Sequence, residues 1–307
     1  MSFLSLIIAF LLEQVRPLDY RRLVARPVQV LADFFEARVN AGSYRHGVFA
    51  WLLLVLPAVL LVLGVYILLY RVSPLLALGL NVVVLYLTMG FRQFSPPYTE
   101  IQMALQLGDL ERARSLLAEW RGESIINPGS ADIARLSIEQ ALQASHRHVF
   151  AVLLWFVLLP GPCGAVLYRL SALLAERWGR GDPEGQGAFG HFARQLFYII
   201  DWFPIRATAG AFAVVGDFED AVFCWRTQAE QWPDPEFGIV LASGAGALGM
   251  QLGMPIMPGG DIGEGVEIGL GEPASVDSMQ SAIGLVWRAT VFWMLLLFLL
   301  GLASLVS

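Results

Sequence analysis

The chain has 307 residues, of which 56% are hydrophobic and only 15% are charged, and its formal net charge is −6. Soluble domains carry roughly 25% charged residues, so this composition excludes an ordinary soluble protein and indicates an integral membrane protein. Its basic residues are all arginine. The negative net charge argues against nucleic-acid binding, which requires a clustered basic surface.

Residues 1–47 predict amphipathic or interfacial helices. Residues 2–12 are apolar, but they are too short to cross a hydrocarbon core of about 30 Å. They also lack the basic start and the cleavage site of a signal peptide. In residues 15–46, apolar side chains recur at helical spacing between arginines, which is typical of a helix on the membrane surface.

Residues 48–91 predict a transmembrane helical hairpin. The first span, residues 48–70, has no charge and contains Pro57, and the second span covers residues 75–91. Arginines flank the hairpin on both sides, so the positive-inside rule places both flanks in the cytoplasm.

Residues 92–147 predict a small cytoplasmic helical subdomain, because they are the most polar part of the chain. His146 and His148 flank Arg147 at its end. Residues two apart on a helix point in different directions, so the two histidines are not expected to bind one metal ion together.

Residues 148–258 predict a membrane-embedded core of broken helices. A third span over residues 149–170 is interrupted at Pro160 and Pro162. A break at membrane depth must be covered by protein or line a cavity.

A second break is predicted in the same core, within residues 195–216. There Asp201 and Arg206 lie on either side of Pro204, a helix breaker. Ionisable groups at membrane depth indicate function, although the segment fits an interfacial helix equally well. The number of crossings after Leu170 and the side of the C-terminus therefore stay open.

Residues 259–281 form an acidic glycine-rich loop, and residues 282–307 predict a C-terminal transmembrane helix. The loop acids can either hold Mg²⁺ through carboxylate oxygens or remain solvated, which leaves the metal unknown. These acids are Asp261, Glu264, Glu267, Glu272 and Asp277.

Residues 244–249 match the dinucleotide-binding pattern G-x-G-x-x-G. That fingerprint requires a preceding strand inside a βαβ unit, whereas the surroundings here are helical. Close packing between helices is the preferred interpretation of these glycines.

Several short motifs carry a family resemblance. They are residues 246–253, Ile268-Gly269, Ser275-Val276-Asp277, Leu285-Val286-Trp287, residues 108–114 and Arg26-Pro27-Val28. These stretches resemble the CobD/CbiB family, membrane proteins that are adenosylcobinamide-phosphate synthases. The resemblance implies an ATP-dependent reaction that joins an aminopropanol moiety to a corrinoid carboxylate in cobalamin biosynthesis.

The chain departs from the synthase motifs at five places. A ligase that uses Mg-ATP needs acids to hold the metal and bases to hold the phosphates, and these are the residues that change. The synthase motifs Gly-Arg-Asp-Thr and Glu-Asn-Thr-Val-Asp fall on residues 122–125 and 143–147, and three further motifs fall on residues 171–175, 197–198 and 235–241.

The middle of the chain is also similar to AmpE, an inner-membrane protein associated with β-lactamase regulation. AmpE has Asp-Trp-Val-Pro-Val-Arg where this chain has Asp201-Trp-Phe-Pro-Ile-Arg206, and it carries an arginine at the position of Arg147. The resemblance thus combines a synthase scaffold with an AmpE-like centre.

These observations predict an all-α, multi-pass bacterial inner-membrane protein with a small cytoplasmic helical subdomain. The preferred function is a non-catalytic, regulatory or sensory one, with no cofactor. The alternatives are an active synthase, which would use Mg-ATP, and a transporter-like binder of an anionic solute. Beyond the lipid bilayer, a membrane or cytoplasmic protein partner and a homo-oligomer stay open. The candidate ligand-binding residues are Arg147, Asp201, Arg206, Asp261, Glu264, Glu267 and Asp277.

Overall fold

The fold is described by a computed structural model and is almost entirely helical. Water cannot satisfy backbone amides inside a bilayer, so helices are the expected form for a chain of this composition. The residues described are 2–16, 18, 20–122, 128–180, 188–253 and 267–306.

The α-helices are numbered in chain order. They are α1 Ser2–Val15, α2 Arg26–Val39, α3 Tyr44–Val72, α4 Pro74–Thr88, α5 Ser95–Gln106, α6 Leu110–Arg121, α7 Ser130–Ser145, α8 Ala151–Leu158, α9 Cys163–Arg180, α10 Ala188–Val215, α11 Phe218–Gln228, α12 Pro235–Leu248 and α13 Ser278–Val306. Shorter helical turns are Arg21–Ala25, Phe91–Gln93, His146–Phe150 and Ala229–Gln231.

Within the described residues, five helical stretches are long and apolar enough to cross a membrane. The predicted all-α, multi-pass class is therefore confirmed. The five stretches are Tyr44–Val72, Pro74–Gln106, Ser130–Leu158, Ala188–Val215 and Ser278–Ala303.

The predicted hairpin corresponds to α3 and α4, which meet at Ser73. Ser73 is extended, with φ −161° and ψ 129°, and Pro74 then begins α4. A proline suits the first position of a helix because its missing amide hydrogen has no partner there. Pro57 lies inside α3 without ending it.

The third apolar helix differs from the span expected over residues 149–170. It begins at Ser130, continues through the π-helical turn His146–Phe150 and ends at Leu158. The break does fall at the expected prolines, because Gly161 between them has φ +60° and lies against the Tyr66 ring, where a side chain would not fit.

The expectation that Pro204 breaks a helix is wrong, because α10 continues through it. Long apolar helices tolerate an internal proline when neighbouring groups satisfy the freed carbonyl. Asp201 and Arg206 therefore belong to one helix rather than to the two sides of a break.

The chain divides into two compact units, each built from two separate stretches. Unit 1 comprises Met1–Gly90 and Ala151–Pro204, and unit 2 comprises Phe91–Phe150 and Ile205–Ser307. Residues 92–147 and the described residues 267–306, which the sequence separates, thus fall in the same unit.

In unit 1, α9 packs against α2, α3, α4 and α8. Arg177 of α9 donates two hydrogen bonds to the carboxylate of Asp33, from Nε at 2.6 Å and from Nη2 at 3.0 Å. This bond raises the pKa of Arg177 above its ordinary value. The next residue, Trp178, donates its indole N–H to the carbonyl of Ala32 at 3.3 Å. These contacts fix the orientation of α2.

In unit 2, α12 packs against α7, α11 and α13. After α12 the chain forms a small sheet of β1 Met250–Leu252, β2 Ile268–Gly269 and β3 Glu272–Pro273. The central strand, β1, pairs antiparallel with β2 and parallel with β3. The sequence predicted none of these strands: β1 lies in the stretch predicted as the membrane-embedded core, and β2 and β3 lie in the predicted loop. Strands of two or three residues are too short to show alternation.

The glycines of α12 allow close packing between helices, which was the interpretation preferred over dinucleotide binding. A side chain at Gly246 would meet the backbone carbonyl of Asp220 in α11, and one at Gly244 would meet Leu142 in α7. The element that leads into α12 is the turn Ala229–Gln231, not a strand. The dinucleotide interpretation therefore lacks its required context.

We predict that Gly246→Val destabilises the protein, because the added atoms force α11 and α12 apart. Overpacking of this kind typically costs about 1–3 kcal/mol. Gly210→Val is the matched control, since no atom lies within 4 Å of a Cβ built at Gly210. Thermal unfolding of the purified protein in detergent measures both, and equal unfolding midpoints would contradict close packing at Gly246.

Candidate functional site

The π-helical turn His146–Phe150 coincides with the end of the motif region at residues 143–147. His146 is buried, and its Nδ1 lies 2.9 Å from the hydroxyl of Thr208 in α10. The Phe150 ring packs edge-on against the ring of Phe212, which lies one turn after Thr208 in α10, with ring centroids 5.9 Å apart. π-Helical turns occur frequently at functional sites, because they interrupt the regular hydrogen bonds of a helix.

Arg147 points to α12, where its guanidinium lies 4.3 Å from the centre of the Phe237 ring. An arginine over an aromatic face is stabilised by the negative face of the ring. Arg206 lies in α10, two residues before Thr208, and is half-buried. The His146–Thr208 contact therefore joins the two segments that carry Arg147 and Arg206, the candidate anion-binding residues.

Asp201 lies in unit 1 and is fully buried. The hydroxyl of Tyr168, also fully buried, donates a hydrogen bond to its carboxylate at 3.0 Å. The site expected around Asp201 and Arg206 combines residues of different units, and it stays a prediction.

Of the acidic loop, Asp261 and Glu264 lie outside the described residues. Glu267 and Asp277 are exposed. In the described part of the chain, no group of three or more histidine, cysteine, aspartate or glutamate side chains is placed to hold a metal ion. The magnesium interpretation of the loop thus remains untested at its two central acids.

Strand β2, which lies within the predicted acidic loop, is held by Gln228, the last residue of α11. The backbone amide of Gly269 donates a hydrogen bond to Oε1 of Gln228 at 2.6 Å. In return, Nε2 of Gln228 donates to the Gly269 carbonyl at 3.4 Å. Gly269 has φ +101°, and a side chain there would meet the carbonyl of Met250. The path of the chain at β2 is therefore fixed by α11 and β1 together.

Glu139, which was not among the predicted site residues, is a buried carboxylate in α7, one turn before residue 143. The backbone amide of Gly253 donates to this carboxylate, and the positive charges of Arg135 and Arg121 act on it. Its Oε1 atom has no hydrogen-bond partner among the described residues. An arginine and a glutamate four residues apart normally form a solvated surface pair, so Arg135 and Glu139 do not stand out in the sequence.

We predict that Gln228→Ala speeds amide hydrogen exchange at Gly269 roughly fivefold, since a net hydrogen bond contributes about 1 kcal/mol. Gln231→Ala is the control, because among the described residues that side chain bonds to the carbonyl of Thr227, at 3.3 Å, and not to β2. Hydrogen-exchange mass spectrometry of the protein in detergent reports both. Unchanged exchange in Gln228→Ala would show that β2 is held by strand pairing alone.

For Asp201, Tyr168→Phe should lower the free energy of unfolding by about 1–3 kcal/mol, because it removes a donor from a buried carboxyl. Tyr44→Phe removes an exposed hydroxyl, which lies 3.1 Å from Gln195, and should change little. Equal thermal stability of the two variants in detergent would contradict a structural role for the Tyr168–Asp201 bond.

Comparison with known proteins agrees with the resemblance seen in the motifs. The family model described as CobD/Cbib protein matches residues 6–286. A "Cobalamin biosynthesis protein CobD" of Stutzerimonas stutzeri (strain A1501) is 34% identical over 301 residues, which cover 96% of each chain. One of the same name from Chromobacterium violaceum is 35% identical over 220 residues, covering 72% of this chain and 70% of its own.

A more distant relative of the same name, from Mycobacterium tuberculosis (strain CDC 1551 / Oshkosh), is 32% identical over 162 residues, about half of either chain. No solved structure matches. The family model and the Stutzerimonas alignment both extend through the hairpin, the π-helical turn and the small sheet. The chain therefore belongs to the CobD/CbiB family, as a helical membrane protein.

Proposed function

We propose that this chain acts in cobalamin biosynthesis at the inner membrane of a bacterium. The observation that carries the proposal is the alignment with the Stutzerimonas CobD over 96% of both chains. Similarity of that extent includes both units rather than one shared segment. The arginines that flank the first hairpin support an orientation with those flanks in the cytoplasm.

The reaction that fits this role is the one implied by the family, ATP-dependent amide formation on a corrinoid carboxylate. Its chemistry needs positive groups near phosphate oxygens and a carboxylate near the reacting amine. The cluster of Glu139 with Arg135 and Arg121 offers both kinds of group beside the divergent motifs.

Specific contacts favour a second candidate, a non-catalytic protein with an AmpE-like regulatory or sensory role. The synthase motif Glu-Asn-Thr-Val-Asp falls on residues 143–147, which places Gln143 and Arg147 at its two acids. Arg147 lies over the Phe237 ring, and the adjacent His146 contacts Thr208. A neutral amide and an arginine do not replace two acids in phosphate chemistry.

Genetic complementation tests these candidates. The chain is expressed in a bacterium that lacks its adenosylcobinamide-phosphate synthase, and growth is made to depend on cobalamin produced from a corrinoid precursor. We expect growth, and we expect Glu139→Gln to reduce it strongly, because the amide replaces the buried carboxylate. Glu119→Gln is the control, since Glu119 is an exposed residue of α6.

The outcomes separate the candidates. Absence of growth, with the protein shown in the membrane, would reject the synthase and support the regulatory role. Growth that Glu139→Gln leaves unchanged would retain the synthase but remove the Glu139 cluster from its site. Membrane abundance of each variant, measured by immunoblot, separates loss of function from loss of folding.

A further inference from the structure

We propose that the outer face of α2 and the preceding turn binds the surface of an anionic phospholipid bilayer. The surface is formed by Leu23, Val30, Leu31 and Phe34, together with the arginines Arg26 and Arg38. It lies entirely within unit 1 and does not depend on the proposed function.

The inner face of α2 is already occupied by protein. Ala32 is fully buried, and its carbonyl accepts the hydrogen bond from Trp178. Asp33, on the same side, is paired with Arg177. The rotation of α2 about its axis is therefore fixed, and the residues on the opposite side stay outward.

The outer face combines large apolar side chains with positive charge. Leu23 is 58% exposed, Val30 61%, Leu31 50% and Phe34 47%. Exposing this much apolar side-chain surface to water is unfavourable. They lie at helical spacing, so they form one stripe rather than scattered contacts. Such a stripe fits the boundary between lipid headgroups and acyl chains.

The charges along the stripe favour anionic lipid over a neutral surface. Arg26 and Arg38 are exposed, and the Arg38 guanidinium lies 4.3 Å from the centre of the Phe34 ring. Of the two carboxylates of α2, Asp33 is 46% exposed but is paired with Arg177, and Glu36 is partly buried, which raises its pKa. The outward surface is thus apolar and cationic, which complements the negative charge of a cytoplasmic leaflet.

The position of α2 in the chain keeps this surface at the membrane. Only residues 40–43 separate the end of α2 from α3, the first candidate span. A connection of four residues reaches at most about 14 Å when fully extended, which is less than half the thickness of a bilayer. The lipid surface therefore stays close to α2, whereas a soluble partner would first have to bind.

The test measures where the stripe lies in vesicles. Full-length protein carrying a nitroxide label at Val30→Cys or Phe34→Cys is reconstituted into phosphatidylcholine vesicles, with or without phosphatidylglycerol. Cys163 and Cys224 are buried and do not compete for the label. A label at Ser115→Cys, on the exposed side of α6, is the control.

In vesicles that contain phosphatidylglycerol, we expect the two α2 labels to collide more with oxygen than with a water-soluble nickel chelate, because oxygen partitions into lipid. The Ser115→Cys label should show the opposite preference. Nickel accessibility equal to that of the control would overturn the proposal. Protection from both reagents would overturn it too, since that pattern indicates cover by protein, such as a second copy of the chain.

The second arm tests charge. Arg26→Gln combined with Arg38→Gln should abolish the difference that phosphatidylglycerol makes at the Val30→Cys label. Arg112→Gln combined with Arg226→Gln removes two exposed arginines elsewhere and should leave that difference intact. If the native protein shows no dependence on phosphatidylglycerol, the preference for anionic lipid is wrong.

Discussion

The close approach of α11 and α12 is the constraint on which unit 2 depends. Gly246 lies against the backbone of Asp220, and Gly238 lies against the carbonyl of Ala229. Any side chain at these positions would separate the two segments, so glycine is required for packing rather than for flexibility. With α12 held there, Phe237 is placed beneath Arg147 and Ser243 reaches the Ala209 carbonyl at 2.8 Å.

The same helix pair also positions the strands β1 and β2. α12 ends at Gly249, whose left-handed conformation (φ +61°) turns the chain into β1. Gln228, at the end of α11, then holds Gly269 of β2. These contacts of α11 and α12 therefore fix the path of the chain at β1 and β2.

Hydropathy and glycine pattern predicted most of the fold, because both report the local environment of each residue. They located the hairpin, the break near Pro160 and the small-residue face of α12. They did not predict that α10 passes through Pro204, since that depends on neighbours that satisfy the freed carbonyl. Nor did they predict two units that alternate along the chain, because periodicity does not say which segments pack together.

The candidate site was predicted less completely, because burial of a charged group cannot be read from a polar helix. Arg147 was selected for its charge, yet its guanidinium packs on Phe237. Glu139 was passed over, yet it is buried and its Oε1 atom has no partner within the described residues. A buried charge that protein contacts already satisfy stabilises the fold, whereas one with unused hydrogen-bonding capacity is able to respond to a ligand. Glu139 is such a side chain among the described residues, and for that reason it is the one that the complementation experiment changes.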